Sequence, residues 1–196
     1  MLVTQIPVDL DTRRRITFNI DYLPANSKLE LKDNNNNIIG LPCNVTSEQT
    51  NYTYIVSEKV PTGTYTLEIS LKNNLTDTYT IFNTTQIRVL KTSNDEVIRD
   101  IQIKDKFCDI IIELTNNNTE TEVENTEVTI QLNGKTGMVC SSKLIWGKDN
   151  VVQCPFKQVL LDEYEVNVIS NSITGNSTIV IDSTTKKDTI FKVDLN

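Results

Sequence analysis

Residues branched at the β-carbon dominate the chain, and this feature constrains the fold most. The sequence contains 26 Thr, 22 Ile and 17 Val, together 65 of its 196 residues, whereas Ala25 is its only alanine. A branched Cβ restricts side-chain freedom in a helix but packs well on the pleated surface of a sheet. Alanine is the strongest helix former. The composition therefore predicts strands rather than helices.

Short runs of alternating apolar and polar residues recur along the whole chain. They are separated by polar turns such as Asp33-Asn34-Asn35-Asn36-Asn37, Asn133-Gly134 and Gly147-Lys148-Asp149-Asn150. Alternation with a period of two predicts half-buried strands. Each half of the chain contains about seven such runs, which is the pattern of a β-sandwich. We therefore expect an all-β protein.

The two halves of the chain resemble each other at an offset of 94–99 residues. Strand order and turn positions recur, and so do one Cys and one Tyr. The matched segments are 16–20 with 110–114, 40–43 with 137–140, and 63–69 with 162–168. Such self-similarity indicates a tandem duplication. We predict two domains, residues 1–94 and 95–196, with the boundary in the polar stretch 92–96 and a strand near 97–103 opening the second domain.

Residues 61–69, which read Pro-x-Gly-x-Tyr-x-Leu-x-Ile, carry a resemblance to known modules. They resemble the late strand of immunoglobulin-like and fibronectin-type-III-like domains, in which a Gly turn precedes a Tyr on an alternating strand. The second half keeps Tyr164 but has Leu-Asp-Glu at 161–163. The resemblance implies two tandem immunoglobulin-like β-sandwich domains. It also implies that Tyr65 and Tyr164 form tyrosine corners, with each phenol bonded to the upstream turn; an ordinary half-buried strand tyrosine is the alternative.

Several functions are disfavoured by composition. Histidine is absent, which excludes Ser-His-Asp and Cys-His nucleophilic sites and imidazole metal ligands. A net charge of −7 argues against nucleic acid or an anionic membrane as partner. No apolar run is long enough to span a bilayer. Asp33-x-Asn35-x-Asn37 begins like a calcium loop but lacks its Gly and Glu, so a plain turn is expected. We expect no enzyme activity, no catalytic or metal site and no cofactor.

Four cysteines allow three pairings. A hairpin turning at 146–149 would place Cys140 opposite Cys154, which predicts a cross-strand disulfide between them, subject to geometry. Cys43 and Cys108, one in each repeat, would then bridge the domains, bridge two chains or remain thiols. Four reduced core cysteines are the alternative.

Six N-glycosylation sequons begin at Asn44, Asn51, Asn74, Asn83, Asn117 and Asn176. Roughly four would arise by chance from this composition, but most of the six fall in or beside predicted turns, where a glycan can face water. With the expected disulfide and the immunoglobulin-like repeats, they favour an extracellular or cell-surface glycoprotein. Residues 1–10 lack signal-peptide character, so the chain is either cytosolic or a mature form with its signal removed, and the sequons and repeats favour the mature form.

Trp146, the only tryptophan, would stack on a sugar or anchor a partner if exposed at a turn; core packing is the alternative.

The terminal segments 2–8 and 190–195 are both strand-like, and such a strand can complete a neighbour's sheet. We therefore expect a structural or adhesive protein that self-associates into a surface filament or coat through its terminal strands. The alternative is a receptor or adhesin ectodomain that binds a protein or glycan through loops at a sandwich end.

Overall fold

The computed structural model describes residues 13–73, 76–92, 94–117 and 123–195. These residues form fourteen strands and one 3₁₀ helix, Lys104–Lys106. The first seven strands are β1 (Arg15–Leu23), β2 (Ser27–Lys32), β3 (Ile38–Val45), β4 (Gln49–Ile55), β5 (Gly63–Lys72), β6 (Tyr79–Val89) and β7 (Glu96–Ile101). The other seven are β8 (Phe107–Asn116), β9 (Glu127–Gly134), β10 (Val139–Ile145), β11 (Val151–Leu160), β12 (Asp162–Ile169), β13 (Thr174–Ile181) and β14 (Thr189–Leu195).

The strands form four sheets, and two sheets pack face to face in each half of the chain. The first half has the strand orders β4-β1-β7 and β3-β2-β5-β6, and the second half has β11-β8-β14 and β10-β9-β12-β13. The two halves are therefore identical in topology. In each, the first strand pairs antiparallel with the fourth and parallel with the seventh. The predicted all-β fold with two sandwiches is confirmed.

The distribution of strands between the sheets differs from that of an immunoglobulin constant domain. There the first, second, fourth and fifth strands share one sheet. Here the first and fourth strands share a sheet with the seventh, and the second and fifth lie in the opposite sheet. The resemblance to immunoglobulin-like modules therefore holds for the sandwich architecture and not for the strand connections.

Strand β7 belongs to the first sandwich, so the division between the two sandwiches lies later in the chain than the sequence predicts. The sequence-based boundary after residue 94 assigns this strand to the second domain. In the structure it pairs with β1 in parallel register, with Ile16 opposite Val97 and Ile20 opposite Ile101. The first sandwich therefore extends to Ile101, and a strand that pairs only with a distant segment gives no local sign of which domain it completes.

Each sandwich has its own apolar core. The inward positions of β1 are Ile16, Phe18 and Ile20, all buried. In the second sandwich, β8 buries Ile110, Ile112 and Leu114 at the matching positions. Side chains on one face of a strand recur every second residue, which is why the buried residues of β1 and β8 lie at alternate positions.

Candidate functional site

Trp146 lies in the core of the second sandwich and has no exposed surface. Its indole nitrogen donates a hydrogen bond to the Asp149 carbonyl at 2.7 Å. The side chain is therefore satisfied internally and is not available to a ligand. The expectation that Trp146 binds a sugar or partner is wrong, and the alternative of core packing holds.

The predicted hairpin between the third and fourth strands of the second sandwich does not form. After β10 the chain crosses to the opposite sheet, so β10 pairs with β9 while β11 pairs with β8. Cys140 and Cys154 are therefore not cross-strand neighbours. All four cysteines belong to the described residues, and all four are free thiols. The predicted disulfide between Cys140 and Cys154 is wrong in this structure.

The environments of the thiols differ. Burial raises the pKa of Cys140 to about 11 and also raises the pKa of Cys154, so both resist conversion to the reactive thiolate. The sulfur of Cys43 lies 3.1 Å from the Tyr52 hydroxyl. The Cys108 thiol lies 3.6 Å from the Thr185 carbonyl oxygen within the second sandwich. Cys43 and Cys108 thus contact their own sandwiches and form no bridge between the two.

Tyr65 and Tyr164 occupy equivalent positions in the two sandwiches. The Tyr65 hydroxyl donates to the Pro61 carbonyl, and the Tyr164 hydroxyl donates to the Leu160 carbonyl, each over 2.9 Å. Each bond ties the start of the fifth strand to the turn that precedes it. This is the back-bonded arrangement that defines a tyrosine corner.

The sequon asparagines lie mainly on strands rather than in turns. Those in described strands are Asn44 on β3, Asn51 on β4, Asn83 on β6 and Asn176 on β13. Asn117 follows β8 directly, and Asn74 lies outside the described residues. Asn44, Asn51, Asn117 and Asn176 are exposed, whereas Asn83 is half-buried. For Asn44, Asn51 and Asn176, accessibility therefore comes from the outer faces of sheets and not from turns.

Of the two terminal segments, only the second is described. Residues 190–195 belong to β14, which pairs in parallel with β8 and buries Val193 and Leu195 in the core. This strand completes its own sandwich. The first segment, 2–8, lies outside the described residues.

The junction between the sandwiches is short and closely packed. The Asp21 carboxylate accepts hydrogen bonds from the backbone N–H groups of Ile103, at 2.8 Å, and Lys104, at 3.3 Å. The Phe107 ring packs edge-on against Tyr22 and Phe82, with 5.4 Å between ring centroids in both pairs. These contacts hold the end of β1 and the middle of β6 against the first residue of β8.

A groove of about 780 Å³ opens beside this junction. Its walls combine apolar and charged side chains, namely Tyr22, Phe107, Leu161, Glu48, Asp105, Asp109, Asp182, Lys104 and Lys187. Four of these side chains are acidic and two are basic, so the groove favours a ligand with positive charge or several hydroxyl donors.

Tyr22 is the unusual residue of the groove. It is only 4% exposed, and its hydroxyl has no hydrogen-bond partner among the described residues. Burial raises its pKa, and the nearby charges of Glu48 and Asp109 raise it further. A buried polar group without a partner is rare in folded proteins. Tyr22 was not a candidate in the sequence, because only the packing of the two sandwiches against each other brings it to a groove.

The neighbouring carboxylate of Asp109 is already engaged. One oxygen accepts the Gln158 backbone N–H at 2.8 Å, and the other lies 3.6 Å from the Lys187 ammonium group. Within the described ranges, no cluster of three or more acidic or cysteine residues has the geometry to hold a metal ion.

The described part of the chain contains no helix that is long and apolar enough to cross a membrane.

Comparisons with known proteins find structural likeness and no match in sequence. No protein-family model matches the chain, and no curated protein matches it. The fold is similar to that of the fimbrial anchor protein Mfa2 from Porphyromonas gingivalis, with a TM-score of 0.52 and 12% identity over 93% of this chain and 90% of that one.

Two further solved structures are less similar. A candidate adhesin from Bacteroides ovatus gives a TM-score of 0.48 with 8% identity, over 93% of this chain and 87% of that one. The Bacillus anthracis TIE protein gives 0.37 with 12% identity, and the chain spans only 34% of its length while 93% of this chain is covered. At 12% identity, the likeness to Mfa2 shows the fold alone.

Proposed function

We propose that the protein is a non-enzymatic, extracellular structural or adhesive subunit that self-associates by strand addition. The observation that carries this proposal is the number and length of open sheet edges. Among the described strands, eight are hydrogen-bonded on one side only, and β11, which contains no sequon, is ten residues long. An edge strand presents unpaired N–H and C=O groups to which an extended segment can bind.

The likeness to Mfa2 supports a surface role. That protein is a fimbrial anchor, and its structural similarity covers 93% of this chain. The shared fold makes a filament-associated role a reasonable one for this chain, and the absence of histidine from the sequence removes the most common acid–base catalyst.

The donor in this proposal is the segment 2–8. The other terminal segment is already used, because β14 pairs with β8 inside its own sandwich. Residues 2–8 read Leu-Val-Thr-Gln-Ile-Pro-Val, which carries no charge and is rich in strand-forming residues. Its single proline, Pro7, lies near the end of the segment, where it removes one backbone donor. Head-to-tail addition of this segment to an edge of the next subunit would generate an open filament.

Light scattering on size-exclusion fractions tests the proposal. We expect the native molar mass to rise with concentration, and we expect the double variant Ile6→Asp, Val8→Asp to stay near the 22.2 kDa monomer plus any glycan. The variant Asn34→Asp, Asn35→Asp adds the same charge in an exposed turn and is the matched control. A wild-type protein that stays monomeric at every concentration, or a control that also stays monomeric, would contradict self-assembly through the segment 2–8.

The groove supports a second candidate, a receptor or adhesin ectodomain that binds a peptide or glycan. Its specific support is the groove of about 780 Å³ at the junction, whose walls combine apolar, acidic and basic side chains. A peptide and glycan array probed with labelled protein tests this function. We expect Asp105→Ala, which removes one of the exposed acidic side chains of the groove wall, to weaken binding, whereas Glu165→Ala, which removes an exposed acidic side chain outside the groove, should not. Equal binding by both variants would exclude the groove as the ligand site.

A further inference from the structure

The four sequons that begin on described strands all lie at sheet edges. Strands β3, β4, β6 and β13 carry them, and each of these strands is hydrogen-bonded to one neighbour only. The six interior strands of the described chain contain no sequon. The position of these asparagines is therefore related to the open edges of the sandwiches and not to turns.

Charged residues lie mainly on the edge strands that have no sequon. The four edge strands without a sequon all carry charged residues: Glu96, Arg99 and Asp100 on β7, Lys143 on β10, Lys157 on β11, and Lys192 and Asp194 on β14. The four edge strands with a sequon contain a single charged residue among them, Arg88 near the end of β6. Each of the eight edges thus has either charge or a sequon, and only β6 has both.

An uncharged edge needs some other protection against pairing. Charged side chains on an edge strand are a common device that prevents two sheets from joining edge to edge. β13 and β4 have no charged residue, and each also exposes an apolar side chain. Val180 on β13 is 54% exposed and Ile55 on β4 is 53% exposed. Uncharged segments with high β-propensity are the ones that form intermolecular sheets.

We propose that N-linked glycans on these edge strands take the place of charge and prevent the uncharged edges from pairing with a second copy of this chain. The proposal rests on the extracellular location given above, because only a secreted chain acquires such glycans. A residue on an incoming strand would lie within about 5.5 Å of the asparagine opposite it. A branched sugar attached there occupies that space.

Asn51 and Asn176 are the two sequon asparagines that best fit this proposal. Both are exposed on the outer face of an edge strand that has no charged residue. Asn44 is also exposed, but its strand contains Pro42, which already weakens pairing. The Asn83 amide is half-buried, and its oxygen accepts a hydrogen bond from the Lys106 ammonium group at 2.8 Å.

The third residue of each sequon provides a matched pair of variants. Thr53 and Thr178 are exposed. Thr53→Ala with Thr178→Ala removes both sequons and leaves the edges bare, whereas Thr53→Lys with Thr178→Lys removes both sequons and adds charge at the same positions. The control Asn117→Gln removes a sequon that does not lie on a strand. All are made as full chains from secreting eukaryotic cells, with site occupancy measured by mass spectrometry.

We expect Asn51 and Asn176 to be occupied in the wild-type protein. We expect the alanine pair to associate at least tenfold more strongly than the wild type, and the lysine pair and Asn117→Gln to behave as the wild type does, all by light scattering over a concentration series. Each is also made with Ile6→Asp and Val8→Asp. Association of the alanine pair that persists in that background is edge pairing, separate from assembly through the segment 2–8.

The opposite results overturn the proposal. They are unoccupied Asn51 and Asn176, an alanine pair that associates no more than the wild type, a lysine pair that associates as strongly as the alanine pair, or an Asn117→Gln variant that does so. The three association results would leave the proposed surface role unaffected. Failure of assembly through the segment 2–8 would in turn leave the edge proposal standing.

Discussion

Trp146 sets the packing at one end of the second sandwich. The ring contacts the core cluster of that sandwich, and its N–H is satisfied by the Asp149 carbonyl. Both the indole volume and its hydrogen bond are therefore fixed by neighbours, and a smaller side chain would leave a cavity. A residue placed in this way acts on stability and not on recognition.

Replacing Trp146 by Ala should lower the free energy of unfolding of the second sandwich by roughly 3–5 kcal/mol. Urea titration followed by far-UV circular dichroism measures the change. The exposed neighbour Ile145 provides the control, and Ile145→Ala should stay within about 0.5 kcal/mol of the wild type. Equal, small effects of the two substitutions would mean that Trp146 does not pack as described.

At the level of elements, the seventh strand of each sandwich decides where a domain ends. β7 and β14 both pair in parallel with the first strand of their own sandwich, from a distant part of the chain. Each supplies buried side chains, Ile101 in the first core and Val193 with Leu195 in the second. The strands are therefore parts of the fold, although each also leaves one edge open.

We expect Leu195→Ala to destabilise the second sandwich by about 2–5 kcal/mol, because the side chain is fully buried. Ile190→Ala, at a partly exposed position of the same strand, should cost much less. The fluorescence of Trp146 reports on this sandwich alone, since the chain has no other tryptophan. Unfolding curves that are identical for Leu195→Ala and the wild type would show that β14 is not docked.

At the level of the whole molecule, the two sandwiches are joined with little freedom. Only Gln102 and Ile103 separate β7 from the 3₁₀ helix, and Ile103 is buried in the first core. Asp21 and Phe107 add polar and aromatic contacts across the junction. Such a joint keeps the sheet edges and the groove in a constant relative orientation.

Phe107→Ala should increase the angular freedom between the sandwiches while leaving each one folded. Residual dipolar couplings measure this as a different degree of alignment for the two halves, which should be equal in the wild type. Phe191→Ala serves as a control, because that aromatic side chain packs within the second sandwich and away from the junction. Equal alignment in Phe107→Ala would show that the aromatic contact does not restrain the joint.

The sequence by itself determined the strand content, the duplication and the inward positions. These properties are local or periodic: a branched Cβ favours extended backbone, and a strand places alternate residues on opposite faces. The inward positions 16, 18 and 20, and 110, 112 and 114, follow directly from that alternation. Tyr65 and Tyr164 were also identifiable, because each tyrosine bonds to a carbonyl only four residues earlier.

Only the tertiary structure decided how distant segments meet. The turn after β10 looks like a hairpin in sequence, but the chain changes sheets there, which separates Cys140 from Cys154 and buries Trp146. The pairing of distant segments also determines which strand β7 pairs with. It forms the groove at Tyr22, and it leaves open the edges that carry Asn51 and Asn176. Two consecutive strands pair or cross to opposite sheets according to which arrangement buries the apolar faces of both. The alternation along one strand does not show which arrangement that is.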